Sequence, residues 1–268
     1  ARRVLSELRS EGYWQGEVLI DRHGEAGVPL WVTATAVSDE QGRVARYMVM
    51  FSDLSGLRRS QEQLQYIAHF DSLTGLPNRN QAMLRLEQGL LQAQHDKGAV
   101  AVLFIDLDRF KLINDSLGHA VGDQVLRQAG SRLSACCPAD DTLARLGGDE
   151  FLMIVLGERA GAAAVRRIGE QICDAMRAPV ILDSGREIYI GASVGFACYP
   201  DDGRTAADLV RNADAAMDTA KATGRDQVCG YERAMTEEAS ARFEMERGLR
   251  KALENDELEL HYQPILDV

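Results

Sequence analysis

No apolar run in the 268 residues approaches the roughly 18 needed to cross a bilayer, so no membrane contact is expected within this chain. Basic residues are also scarce. Lys and Arg number 30 against 41 Asp and Glu, a net charge of -11. A nucleic-acid surface needs a basic footprint, so nucleic acid is excluded as a partner. A single nucleotide is not excluded, because a few local cations and one metal ion hold a phosphate chain. Paired cysteines are missing too. Cys136, Cys137, Cys173, Cys198 and Cys229 are odd in number and lack C-x-x-C spacing. Neither a zinc site nor a disulfide framework is expected. A reducing cytoplasm fits best. No secretory pattern opens the chain. It begins "ARRVLSELRS" without Met, as a fragment would, and a membrane tether outside this window stays compatible.

What is present is a globular composition with enough chain for one or two domains. Residues 1–54 read as mostly strand: "YWQGEVLIDRHG", "GVPLWVTATAVSDEQG" and "RVARYMVMFSDL" predict three antiparallel strands joined by tight turns. Trp14 and Trp31 read as core or sheet-face residues. Residues 55–70 carry Leu57, Leu64, Ile67 and Ala68 at helical spacing, which predicts a connecting helix. "DSLTGLPNRN" is a loop before a helix from about Arg79 to Gln94. "AVAVLFIDL" (99–107) is a continuous apolar run, as a buried strand requires. Helix is expected at 122–136, 160–176 and 205–224, strand at 142–156 around a turn, at 186–200 and in "DQVCGY". The order is β-α-β-β-α-β, a ferredoxin-like α+β arrangement. Residues 232–255 read as a charged helix, and "ELELHYQPILDV" as the first strand of another domain.

The stretch "TLARLGGDEFLMIV" places Gly147, Gly148, Asp149 and Glu150 between two apolar runs. Glycines supply the positive φ of a tight hairpin and leave room for close approach to the backbone. Asp149 and Glu150 then open the second strand with side chains on opposite faces. Asp106 closes the run 99–107. If the strands are neighbours, it comes to lie beside Asp149. Carboxylates converging at strand ends suit a hard cation that keeps waters and substrate phosphate oxygens as its other ligands.

These segments together resemble the GGDEF-domain diguanylate cyclases. "GGDEF" is spelled in full at 147–151. "DSLTGLPNR" (71–79), "FIDLDRFKLINDSLGHAVGDQVL" (104–126), "ASVGFACYP" (192–200) and "ADAAMDTAKATGRDQV" (213–228) follow in the family's order. The resemblance covers about residues 66–230. It implies an α+β fold with a central antiparallel sheet, and condensation of two GTP into cyclic di-GMP with release of pyrophosphate. One domain holds one GTP, so a homodimer is implied.

Carried over by position, the resemblance makes Asp106, Asp149 and the Leu107 carbonyl ligands of Mg²⁺ (or Mn²⁺). Asp149 is also the proton acceptor, with Glu150 and Lys111 assisting the chemistry. Asn114 and Asp123 read guanine, with His119, Gly147 and Gly148 lining the site. Lys221 and Arg225 meet the triphosphate as helix-end cations one turn apart.

The chain departs from the family at three positions. Asp218 stands where Tyr is common, three residues before Lys221, and is expected to pair with it. Asp226 stands where Asn is common. Pro138 replaces the Arg of an Arg-x-x-Asp inhibitory site that Asp141 would complete, so weak product inhibition is expected. On the flanks, residues 1–54 resemble the C-terminal half of a PAS domain, followed by the 55–70 connecting helix. After the GGDEF region at 71–230, residues 231–268 resemble the start of an EAL phosphodiesterase domain. The Glu-Ala-Leu triplet is not among these residues.

Overall fold

The computed structural model of the chain describes residues 2–22, 25–41 and 43–235, with isolated positions beyond. The expected helix at 232–255 and the strand after it therefore lie largely outside the described residues. The chain divides into two compact units, residues 1–68 and 69–268.

In the first unit, α1 (Arg2–Glu11) leads into strands β1 (Tyr13–Arg22), β2 (Glu25–Ser38) and β3 (Val44–Asp53), antiparallel in the order β1-β2-β3. Helix α1 falls in a stretch read as strand-rich; at 10 residues it is too short for periodicity to stand out. Its Leu8 is buried, as are Val32 and Ala34 of β2. The β2–β3 turn is closed by Asp39, whose Oδ1 accepts from the backbone N–H of Gln41 and Arg43 at 3.0 and 2.9 Å. Asp53 Oδ1 accepts from Ser55 N–H at 2.7 Å at the start of α2 (Ser55–His69).

In the second unit, α3 (Arg79–Asp96) starts at an Asn78 cap, whose side chain accepts from Gln81 N–H at 3.1 Å. Then come β4 (Val100–Leu107), α4 (Phe110–Leu117), α5 (His119–Cys136), β5 (Thr142–Gly147) and β6 (Glu150–Leu156). After a 3₁₀ turn at Gly157–Ala160 follow α6 (Ala162–Arg177), β7 (Val180–Ile181), β8 (Glu187–Ile188), β9 (Ala192–Tyr199), α7 (Ala206–Ala222) and β10 (Val228–Gly230). The five-stranded sheet has the order β10-β9-β4-β6-β5.

Strand β4 is buried along its whole length and divides two cores. Ala101, Leu103, Ile105 and Leu107 join the core with α5 and α6. Val100, Val102 and Phe104 join the core with α3 and α7. This alternation is the two-residue period of a strand covered on both faces. Helix α7 lies so close on β9 that a Cβ at Gly195 would stand 2.1 Å from the Ala213 carbonyl oxygen.

Three expectations change. The sheet is antiparallel except at its edge, where β10 runs parallel to β9, because α7 carries the chain back across between them. The run 186–200 is broken: β8 pairs with β7 in a separate hairpin, and β9 starts only at Ala192. Residues 110–117 form a helix with only Phe110 buried, too short for an apolar stripe to mark it.

Candidate active site

Asp106 is the penultimate residue of β4 and only 6% exposed. Burial pushes its carboxyl up to about 6; Asp149 and Asp108 add to the rise, and Lys221 opposes it. Lys221 Nζ, in the last turn of α7, stands 2.7 Å from Asp106 Oδ2. Asp218 is therefore not the partner of Lys221; it lies exposed on α7. Burial, with Asp218 and Glu150 nearby, pushes Asp214 of α7 up to about 6 as well.

The register adds Glu150 to the expected neighbourhood of Asp106 and Asp149, whose charge helps raise the Asp106 carboxyl. Asp149 lies in the turn before β6 rather than in the strand, and Glu150 stands directly opposite Asp106. Cross-strand partners share a face, so Glu150 is the strand residue that joins Asp106. Asp149 approaches through the backbone: its carbonyl accepts from Leu107 N–H at 3.3 Å. Gly147 and Gly148 have φ of 142° and 51°. No protein atom lies within 4 Å of a Cβ built at either, so the glycines serve the turn's conformation here.

The turn is held from behind by Arg145, which sequence reading passed over. Its Nη1 donates to both oxygens of Asp71 at 3.0 Å, and its Nη2 and Nε donate to the Gly148 carbonyl at 2.7 and 3.2 Å. Asp71 also accepts from the Thr74 amide and hydroxyl. The loop after α2 and the Gly-Gly turn thus share one guanidinium. The only hint in the sequence was a cation two residues before the glycines.

Helices α4 and α5 form the second part of the site. The Asn114 Oδ1 is buried without a partner. A Cβ at Gly122 would lie 2.0 Å from that oxygen, so glycine keeps this cradle open. Asp123 follows, half-buried inside α5; the N-cap position is Gly118, so Asp123 caps nothing. An orphan buried acceptor suits a ligand edge bearing N–H groups. Lys111 and His119 stand exposed on α4 and at the first position of α5.

Arg225 differs from expectation. Helix α7 ends at Ala222, and Arg225 follows in a loop with φ 64°. It lines a cleft of about 500 Å³ together with Asp108, Arg109, Tyr189 and Asp226. Asp108, also missed, accepts from Ser193 Oγ at 2.7 Å and from Asp226 N–H at 3.0 Å.

Among the described residues no three His, Cys, Asp or Glu side chains form a ready metal cage. Mg²⁺ takes one or two carboxylates and completes its shell with water and substrate oxygens. The donors at hand are oxygens. Asp106 already draws a cation, the Lys221 ammonium. Among the described residues no helix is long and apolar enough to cross a membrane.

A family model described as "Diguanylate cyclase, GGDEF domain" matches residues 68–227. The chain belongs to the GGDEF diguanylate cyclase family. It is 40% identical over 213 residues to the cyclic di-GMP phosphodiesterase PdeR of Escherichia coli, a match covering 80% of this chain and 32% of PdeR. It is 42% identical over 210 residues to MucR of Pseudomonas aeruginosa, a bifunctional diguanylate cyclase/cyclic di-GMP phosphodiesterase, covering 78% of this chain and 30% of MucR. The chain thus spans about a third of the length of these relatives. The crystal structure of the GGDEF domain of YfiN (also called TpbB) from Pseudomonas aeruginosa superposes with a TM-score of 0.58 at 41% identity, over 59% of this chain and 98% of that one.

Proposed function

We propose that the chain is a diguanylate cyclase module that condenses two GTP into cyclic di-GMP and releases pyrophosphate. The observation that carries this reading is the pairing of a complete Gly-Gly-Asp-Glu-Phe turn with the buried Asp106 carboxylate at the adjacent strand end. Asn114 and Asp123 hold guanine in the α4–α5 cradle. Lys111, Lys221 and Arg225 hold the triphosphate. The 3′-hydroxyl oxygen of each nucleotide attacks the α-phosphorus of the other, and the bond to pyrophosphate breaks. Asp149 takes the hydroxyl proton. Asp106 and Asp149, with the Leu107 carbonyl, would hold Mg²⁺ or Mn²⁺, which stabilises charge on the transferring phosphate. Glu150, opposite Asp106, supports a second ion or positions the nucleotide. Two chains must face each other, since each site holds one GTP. Catalysis then rests on positioning and charge stabilisation. The setting is cytoplasmic.

The N-terminal sheet serves as a PAS-type sensory half, and α2 as the connection that transmits its state. Residues 231–268 open an EAL domain.

A second reading is favoured by the name of PdeR and by the hold of Lys221 on Asp106. In it the domain binds GTP, turns over poorly and regulates a following EAL phosphodiesterase. Incubation with GTP and Mg²⁺, followed by chromatography for cyclic di-GMP and pyrophosphate, separates the two. The cyclase forms both, and Asp149→Ala abolishes both with the melting temperature kept. GTP binding without product at high protein concentration supports the regulatory reading.

A further inference from the structure

Arg225 and Asp226 are consecutive residues with left-handed φ, 64° and 48°. Such a pair is held by its contacts, since neither residue is glycine. Arg225 N–H donates to the Ala220 carbonyl at 2.9 Å, and Asp226 N–H donates to Asp108 Oδ2 at 3.0 Å. The remaining holds come from Arg177, the last residue of α6. Its Nε donates to Asp226 Oδ2 at 2.7 Å, and its Nη2 reaches the Asp226 carbonyl at 3.4 Å. The other carboxylate oxygen of Asp226 is buried without a hydrogen-bond partner. Arg177 is thus the one guanidinium among the described residues that is seen to pair with this carboxylate.

The charge inventory of the cleft gives this contact its meaning. Asp108 and Asp226 line it with Arg109, Arg177 and Arg225. Removing Arg177 leaves two acids against two guanidiniums, in a cleft that must accept a polyanion. We propose that Arg177 is a positioning residue for GTP: it cancels the Asp226 carboxylate next to Arg225 and so keeps the triphosphate cleft cationic. This rests on the reading of Arg225 as a triphosphate contact. Arg177 touches neither phosphate nor metal in this scheme and acts through Asp226.

The test is a titration of a fluorescent GTP analogue and of guanosine into the unaltered protein and three variants, checked for folding by thermal melting. Arg177→Ala should raise the GTP dissociation constant about tenfold at low salt, the order expected for one unit charge within a Debye length. The effect should shrink at high salt, and guanosine, which carries no phosphate, should bind unchanged. Arg177→Lys keeps the charge and should bind GTP within about threefold of the unaltered protein. The double change Arg177→Ala with Asp226→Asn should recover most of the loss, because the uncompensated carboxylate is gone. Equal GTP affinity in Arg177→Ala, or a double variant as weak as Arg177→Ala alone, overturns the proposal. Failure of the unaltered protein to bind GTP overturns the proposed function itself, and this inference with it. The two failures are therefore distinct.

Discussion

Lys221 holds Asp106 across the junction of α7 and the sheet, Nζ to Oδ2 at 2.7 Å, with the carboxylate side chain only 8% exposed. The pair sets the first expected outcome. Burial lifts the Asp106 carboxyl from an ordinary 3.8 to about 6. A raised carboxyl contributes stability that is complete below the ordinary value and lost as pH rises through about 6. Asp106→Asn removes that loss. Relative to the unaltered protein, the variant should gain about 1–3 kcal/mol between about pH 4 and about pH 7. Mg²⁺ at neutral pH should stabilise the unaltered protein and leave the variant unmoved. Calorimetric melts over a pH series check both; parallel curves would count against a raised Asp106 carboxyl.

The Asp71–Arg145 clamp should be costly to break. Asp71 is mostly buried and Arg145 more so, with side-chain exposures of 21% and 10%. Burial alone would raise the Asp71 carboxyl, but hydrogen bonds from Thr74 and Arg145 outweigh it and leave it lowered. Asp71→Asn should therefore lose about 2–4 kcal/mol at neutral pH. The deficit should narrow as acid protonates the unaltered protein, because a lowered carboxyl loses its contribution as pH falls through its folded value. Urea unfolding at two pH values measures both effects. A constant deficit would show that the ion pair is not the cause.

Gly122→Ala should damage nucleotide binding more than folding. The new Cβ would meet the Asn114 Oδ1 at 2.0 Å and the Phe110 ring at 3.1 Å, so the amide must swing out of its cradle. A stability loss of about 1–3 kcal/mol is expected from the crowding. GTP affinity should fall at least about tenfold, as one buried polar contact to guanine is lost. Isothermal titration decides; unchanged affinity would move guanine elsewhere.

Product inhibition through Pro138 and Asp141 should be weak. The Asp141 side chain is fully buried. Its Oδ1 accepts from Leu156 N–H at 3.2 Å, and Arg159 lies 3.4 Å from its Oδ2. The carboxylate is committed to holding β6, and Pro138 brings no guanidinium. Calorimetry with cyclic di-GMP should find no nanomolar site that Asp141→Ala removes.

How much was legible in the sequence differs by element. The apolar run ending at Asp106 and the Gly-Gly turn stood out because a strand buried on both faces and a turn needing positive φ restrict residue type locally. Helix α4 did not stand out, since one buried residue in eight makes no stripe. Arg145, Asp71 and Asp108 look like ordinary surface charges in the sequence. Their partners lie 74 residues away for the first pair and 85 for the contact of Asp108 with Ser193.

By itself the sequence indicated the kind of site, namely oxygen donors at a strand end and a glycine turn, with Asn114 and Asp123 assigned through the family resemblance. Residue type and short-range spacing suffice for that, because turn conformation and strand period are local properties. Only the tertiary structure decided which groups meet. Register put Glu150 rather than Asp149 opposite Asp106, packing brought Lys221 onto Asp106 instead of Asp218, and the end of α7 released Arg225 into a loop held through Asp226 by Arg177. Those pairings depend on how strands slide and helices dock, and no window along the chain contains both partners.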